Sequence, residues 1–118
     1  MNYVNLGNEK RPLQVTPRVV SLWMSETNKG FDSLESLSMA DMEVLLFHGL
    51  RSGYRASHNG LYPEWTREHF EDWMDRPEGW KALNVVQKAL EEMMQAMNDD
   101  AESEAEGESP GKNPPAEA

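Results

Sequence analysis

The stretch SMADMEVLLFHGLRSG, residues 38–53, decides the fold of this chain. On a helical wheel at about 100° per residue, its apolar side chains cover most of the circumference. Between Val44 and Leu50 the only strongly polar side chain is that of His48. A helix that is apolar nearly all round must be covered by other elements, and this one is too short to cross a bilayer. We therefore expect a buried central helix in a small helical domain.

The two ends of this helix carry recognisable signals. Ser38, with Asp41 three residues later, is typical of an N-cap, because side-chain oxygens at these positions can bond to the free N–H groups of a first turn. Gly53, which follows Arg51, is typical of a helix C-terminus. The central helix is therefore predicted over residues 39–52.

Three further helices are predicted along the chain. Thr16 followed by proline predicts a helix start, and residues 28–30 close that helix. Thr66 opens another helix, which ends before Pro77 because the residue preceding a proline is disfavoured in helical conformation. The longest helix is predicted over residues 78–98, and its apolar arc covers about half the circumference, more than a single core requires. We expect this helix to contact two neighbours, one of which can belong to another chain.

The predicted fold class is all-α, a small bundle of about four helices around the buried central helix. In residues 1–15 the alternation of apolar and polar residues is too short and too interrupted to predict a strand. Either a short extended arm or a single hairpin fits this segment. Residues 16–98 form the helical domain. Residues 99–118 contain no large apolar side chain, and we predict a disordered acidic tail.

Composition and charge exclude several classes of protein. The chain has 118 residues and no cysteine, so disulfides, thiolate nucleophiles and cysteine-ligated zinc are excluded. We find no secretory signal and no membrane-spanning run, and we expect a cytoplasmic protein without a membrane partner. The net charge is −10, and residues 99–118 hold seven acidic residues against Lys112. Because no basic patch is evident for phosphate contacts, we do not expect nucleic acid as a partner.

The histidines do not form a metal motif. His48, His58 and His69 lie ten and eleven residues apart, so no pair has the i, i+4 spacing of helical metal ligands. His48 stands in the most apolar helix, where we expect a hydrogen-bonded histidine of the core or its edge. No cofactor or metal is expected.

A dense group of carboxylates precedes Pro77 and could in principle bind a cation or perform acid–base chemistry. The group comprises Glu64, Glu68, Glu71, Asp72 and Asp75. Because apolar residues alternate with these acids, we interpret them as the solvated face of an amphipathic helix. A metal-dependent enzyme using Glu68, Glu71, Asp72 and His69 is the catalytic alternative. No catalytic residue is assigned, and we expect a protein that is not an enzyme.

Methionine and tryptophan are unusually frequent, with eight and four copies. Methionine side chains adapt to partners of varied shape, which suits a surface that receives apolar helices. Met93, Met94 and Met97 lie late on the last predicted helix, beyond its expected packing partners. Together with Ala89 and Val85 they form the predicted partner-binding surface, and core filling is the alternative role for the methionines.

The order of the segments resembles a known family. The lead LQVTPRVVSLWMSETNKG (13–30) precedes the run LLFHGLRSGY (45–54). The acid-flanked YPEWTREHFEDWMDR (62–76) and the long helix NVVQKALEEMMQAM (84–97) follow. Over residues 10–98 this layout is similar to that of the tail assembly chaperones of long-tailed bacteriophages and prophages. The N-terminal strand pairing of some family members is not evident in this sequence.

The resemblance implies a non-enzymatic helper of tail morphogenesis. Such a protein coats the long, apolar, helical tape measure protein and recruits tail tube subunits in the host cytoplasm, forms homo-oligomers, and is absent from the mature virion. Two alternatives stay open. One is another phage morphogenesis protein, such as a head–tail connector component, and the other is an acidic regulatory module that mimics DNA.

Overall fold

A computed structural model describes the backbone of residues 1–107 and the side chains of residues 1–99. Within that part of the chain, a two-stranded sheet precedes four α-helices. The elements are β1 (Asn2–Leu6), β2 (Glu9–Leu13), α1 (Pro17–Thr27), a 3₁₀ turn (Phe31–Glu35), α2 (Met39–Ser57), α3 (Arg67–Met74) and α4 (Glu78–Gly107). The prediction of a mostly helical protein is confirmed, but the all-α class is wrong because of the sheet.

The N-terminal segment is a β-hairpin, not an extended arm. β1 and β2 are antiparallel with Leu6 opposite Glu9, so only Gly7 and Asn8 form the turn. Their φ angles are 62° and 66°, the left-handed conformation that a two-residue hairpin turn of type I′ needs. Val4 and Leu6 of β1 are buried. The hairpin therefore supplies side chains to the same core as the helices.

Two glycines of α2 allow the hairpin to pack closely on this helix. Gly49 and Gly53 lie one turn apart, and a Cβ atom at Gly53 would overlap the carbonyl of Pro12. A Cβ atom at Gly49 would lie 2.6 Å from Leu13 Cδ1, and the carbonyl of Gly49 accepts a hydrogen bond from Gln14 N. The prediction that Gly53 ends the central helix is wrong, because this glycine serves close packing and α2 continues to Ser57.

The predicted helix starts are confirmed. Thr16 caps α1, its hydroxyl accepting from Val19 N, and Ser38 and Asp41 form a capping box at the start of α2. Thr66 caps α3, where its backbone N–H donates to Nδ1 of His69. These caps satisfy N–H groups that would otherwise lack partners in the first turns.

The core forms where α2 meets the hairpin, α1 and α4. The largest fully buried side chains are those of Leu6, Leu13, Val19, Trp23, Leu45, Leu46, Leu50, Phe70 and Val86. Three of these belong to α2, so the prediction of a buried central helix is confirmed. α4 lies across β1, α2 and α3.

The last helix is longer than predicted. Its backbone continues beyond Asn98 to Gly107, while residues 108–118 of the predicted disordered tail lie outside the described residues. None of the described helices is both long and apolar enough to cross a membrane.

Candidate protein-binding surfaces

The predicted partner-binding residues of α4 differ in how far their side chains are exposed to solvent. Ala89 is buried, and Val85, Met93 and Met94 are half-buried against the core. Met97 is 41 % exposed and lies beyond this packing. The inner residues of the predicted surface thus help to close the core, whereas Met97 is accessible to another molecule.

Ala89 and Met93 border an open groove between α4 and the hairpin, which we call the hairpin groove. It has a volume of about 420 Å³ and is also lined by Leu13 and Val15. These side chains come from opposite ends of the sequence, and the fold brings them together.

A second groove lies at the other end of α4, and we call it the tryptophan groove. Its volume is about 330 Å³, and its apolar lining consists of Met39, Met74, Pro77, Trp80 and Leu83. Trp80 is 66 % exposed, an unusual state for the largest apolar side chain. An exposed tryptophan beside two methionines is typical of a surface that binds protein.

The tight connection between α3 and α4 places Trp80 on this surface. The carbonyl oxygen of Arg76 accepts a hydrogen bond from Gly79 N at 3.0 Å, and that of Pro77 accepts one from Trp80 N at 3.2 Å. These bonds form two consecutive turns that lead into α4. Gly79 is buried, and a Cβ atom there would lie 3.0 Å from the carbonyl of Met74. α4 therefore starts directly against α3, and Trp80 stands in its first turn.

Sequence reasoning missed the tryptophan groove because its lining residues come from three helices. The available signal was a large aromatic residue in the first turn of a helix, just after the break at Pro77. Glu43, Asp75 and Arg76 add charged side chains to the lining. An apolar centre with charged neighbours is the usual anatomy of a protein interface.

A third groove is basic, and we call it the arginine groove. Its volume is about 390 Å³, and Arg18 of α1 lines it together with Arg51 and Arg55 of α2. The guanidinium carbons of Arg51 and Arg55 lie 4.9 and 4.3 Å from the ring centroid of Tyr62, so both cations stack on one aromatic side chain. Sequence reasoning missed this groove because Arg18 is distant in sequence from the other two.

Two of the histidine and carboxylate candidates, His48 and Asp72, contact oppositely charged or hydrogen-bonding neighbours. His48 Nε2 lies 2.9 Å from Glu26 Oε1, which confirms the prediction of a hydrogen-bonded histidine at the edge of the core. Arg67 donates to the same carboxylate, and mainly this bond lowers the pKa of Glu26. Asp72 accepts from Arg76 on the exposed face of α3.

The described residues contain no group of three or more histidine and carboxylate side chains placed to hold a metal ion. Comparisons with models of protein families, with curated proteins and with solved structures find no match to this chain.

Proposed function

We propose that this protein is a non-catalytic chaperone that covers apolar helical segments of another polypeptide during the assembly of a phage tail. The observation that carries the proposal is Trp80, which stands 66 % exposed beside Met39 and Met74 in the tryptophan groove. Tryptophan is among the residues that contribute most to protein binding when a partner buries them.

The shape and chemistry of the tryptophan groove favour a helical partner. An amphipathic helix presents apolar side chains at i and i+3 or i+4, and such pairs dock into apolar grooves of this kind. The methionines can rearrange around side chains of different shape, which allows one groove to accept many segments of a long, repetitive partner. Met97 and the hairpin groove provide further apolar surface along the same helix.

The resemblance to tail assembly chaperones identifies the proposed partners. They are the tape measure protein, which is long, apolar and helical, and the tail tube protein, and self-association of the chaperone is part of this proposal. The β-hairpin supports the resemblance, because N-terminal strand pairing occurs in some members of that family.

Co-expression tests this function. A long helical tape measure protein, the proposed partner, should remain soluble when co-expressed with the wild type and precipitate when co-expressed with Trp80→Asp. Leu61→Asp is the matched control, because Leu61 is equally exposed, at 66 %, and does not line the tryptophan groove. Equal rescue by wild type and Trp80→Asp would contradict the proposal.

The proposed place of action is the host cytoplasm, and the chaperone leaves before the tail is complete. Purified virions should therefore lack the protein, which mass spectrometry of intact particles can measure. Stoichiometric copies in the particle would instead indicate a head–tail connector component.

A further inference from the structure

The arginine groove differs from the other arginine positions in its lack of carboxylates. Arg67 pairs with Glu26 at 2.6 Å and Arg76 with Asp72 at 2.8 Å. Arg11 lies 3.9 Å from Glu9. By contrast, within residues 1–99 we find no ion pair for any of the three arginines that line the groove.

This concentration of positive charge is unusual in a chain of net charge −10. Arg51 and Arg55 lie at i, i+4 on α2, where two like charges destabilise a helix slightly. Guanidinium groups bind carboxylates with two parallel hydrogen bonds, so the groove is suited to the side chains of aspartate and glutamate. Thr16 and Ser52 in the same lining add hydroxyl groups.

The chain itself carries a complementary segment. Residues 99–108, DDAESEAEGE, contain six acidic residues and no basic one. α4 holds the backbone of this segment as far as Gly107. From Gln95 to Asp99 the side chains of α4 are exposed, so the helix has already left the body of the protein before the acidic segment begins.

The helical backbone extends the acidic segment beyond the packed part of α4. An α-helix rises about 1.5 Å per residue, so residues 98–107 extend about 15 Å beyond the last packed turn. A continuous helix does not turn back, so the backbone of residues 99–107 continues along the axis of α4 beyond its last packed turn. The acidic segment is available to a groove on a second copy.

We propose that the arginine groove, formed by Arg18, Arg51 and Arg55, binds the acidic C-terminal segment 99–108 of a second copy of this protein. Such a contact joins two different surfaces, so it links copies head to tail and can extend into rings or open chains. Because it depends on exposed charges, it weakens as salt shortens the Debye length from about 10 Å at 0.1 M to about 3 Å at 1 M. This inference rests on the self-association included in the proposed function and names the two surfaces that meet.

Sedimentation velocity of the full chain at several concentrations tests this contact. The wild type should show a concentration-dependent rise in mass at low salt that disappears at high salt. Arg51→Glu with Arg55→Glu should weaken the association by about ten-fold or more, since each exposed ion pair contributes roughly two- to five-fold. Lys81→Glu with Lys88→Glu is the matched control, because it changes the net charge equally on exposed sites of α4 outside the groove.

A second variant reverses the charge of the acidic segment and leaves the body of the protein unchanged. Glu102→Lys, Glu104→Lys and Glu106→Lys together should also abolish self-association. Mixing this variant with the groove-reversed variant should restore a complex, since a basic segment then meets an acidic groove. This mixing experiment separates a specific contact from general charge repulsion.

The outcomes are distinct. Restoration of the complex by mixing, with an unaffected lysine control, supports the contact. A wild type that stays monomeric at every concentration, an association that survives both reversals, or equal loss in the lysine control would overturn it. Trp80→Asp should leave self-association unchanged, so failure here and failure of the chaperone function are separately measurable.

Discussion

The indole Nε1 of Trp23 donates a hydrogen bond to Oδ1 of Asp41 across 3.2 Å in the core. Asp41 is 2 % exposed and is the one buried charged residue among the described side chains. Its carboxylate also accepts from Lys29 Nζ at 2.8 Å and from the backbone N–H of Ser38 at 3.0 Å. A single carboxylate therefore caps α2 and connects it to α1.

The first prediction concerns acid stability. Burial raises the pKa of Asp41, but the hydrogen bonds from Lys29, Ser38 and Trp23 outweigh it and lower the pKa from 3.8 to about 2. The lower folded-state pKa contributes about 2 kcal/mol at neutral pH, and this is lost as the pH falls from about 4 to 2. Urea unfolding at a series of pH values measures this loss of stability. Asp41→Asn should lack this part of the pH dependence, and an unchanged profile would contradict the assignment.

The second prediction concerns the loss of this carboxylate. Asp41→Ala should reduce the free energy of unfolding by about 2–4 kcal/mol, because the buried indole N–H of Trp23 loses its acceptor and the N-cap of α2 loses the bond to Ser38 N. Glu35→Ala, which removes an exposed carboxylate nearby in sequence, should change the stability by less than about 0.5 kcal/mol. Chemical denaturation compares the two variants, and similar stabilities would show that the Asp41 network contributes little.

The third prediction separates the two interpretations of Gly53. In an ordinary exposed helix, glycine to alanine stabilises by up to about 1 kcal/mol. Here the added Cβ atom meets the carbonyl of Pro12, so Gly53→Ala should destabilise by about 1–3 kcal/mol. Thermal and urea unfolding give the sign directly. A stabilised variant would mean that β2 does not pack on α2 as observed.

The same glycine explains why some elements could be predicted from the sequence and others could not. Caps such as Thr16 and Thr66 act within one turn, and the apolar pattern of α2 is local, so both were predictable. The role of Gly53 depends on β2, which is distant in sequence. The hairpin itself has short strands and a proline in β2, which weaken the strand pattern, and its turn signal is confined to Gly7 and Asn8. Grooves that combine residues from separate helices leave no local pattern.

The fourth prediction tests how the methionines of α4 divide between core and surface. Met93→Asp should destabilise the fold by about 1–3 kcal/mol, because Met93 packs against the core and its replacement brings a charge to a half-buried site. Met97→Asp should leave stability within about 0.5 kcal/mol of the wild type, since Met97 is 41 % exposed. Circular dichroism during chemical denaturation gives the free energy of unfolding of each variant. Equal destabilisation would place both methionines in the core.

The most direct test of the central claim is the affinity of the purified protein for an apolar helical segment of a tape measure protein, the partner proposed above, measured by isothermal titration calorimetry. Trp80→Ala should weaken binding about ten-fold or more, as expected for a tryptophan at the centre of an interface, while Leu61→Ala should bind like the wild type. Identical affinities for the wild type and Trp80→Ala would contradict the proposal that the tryptophan groove shelters another polypeptide.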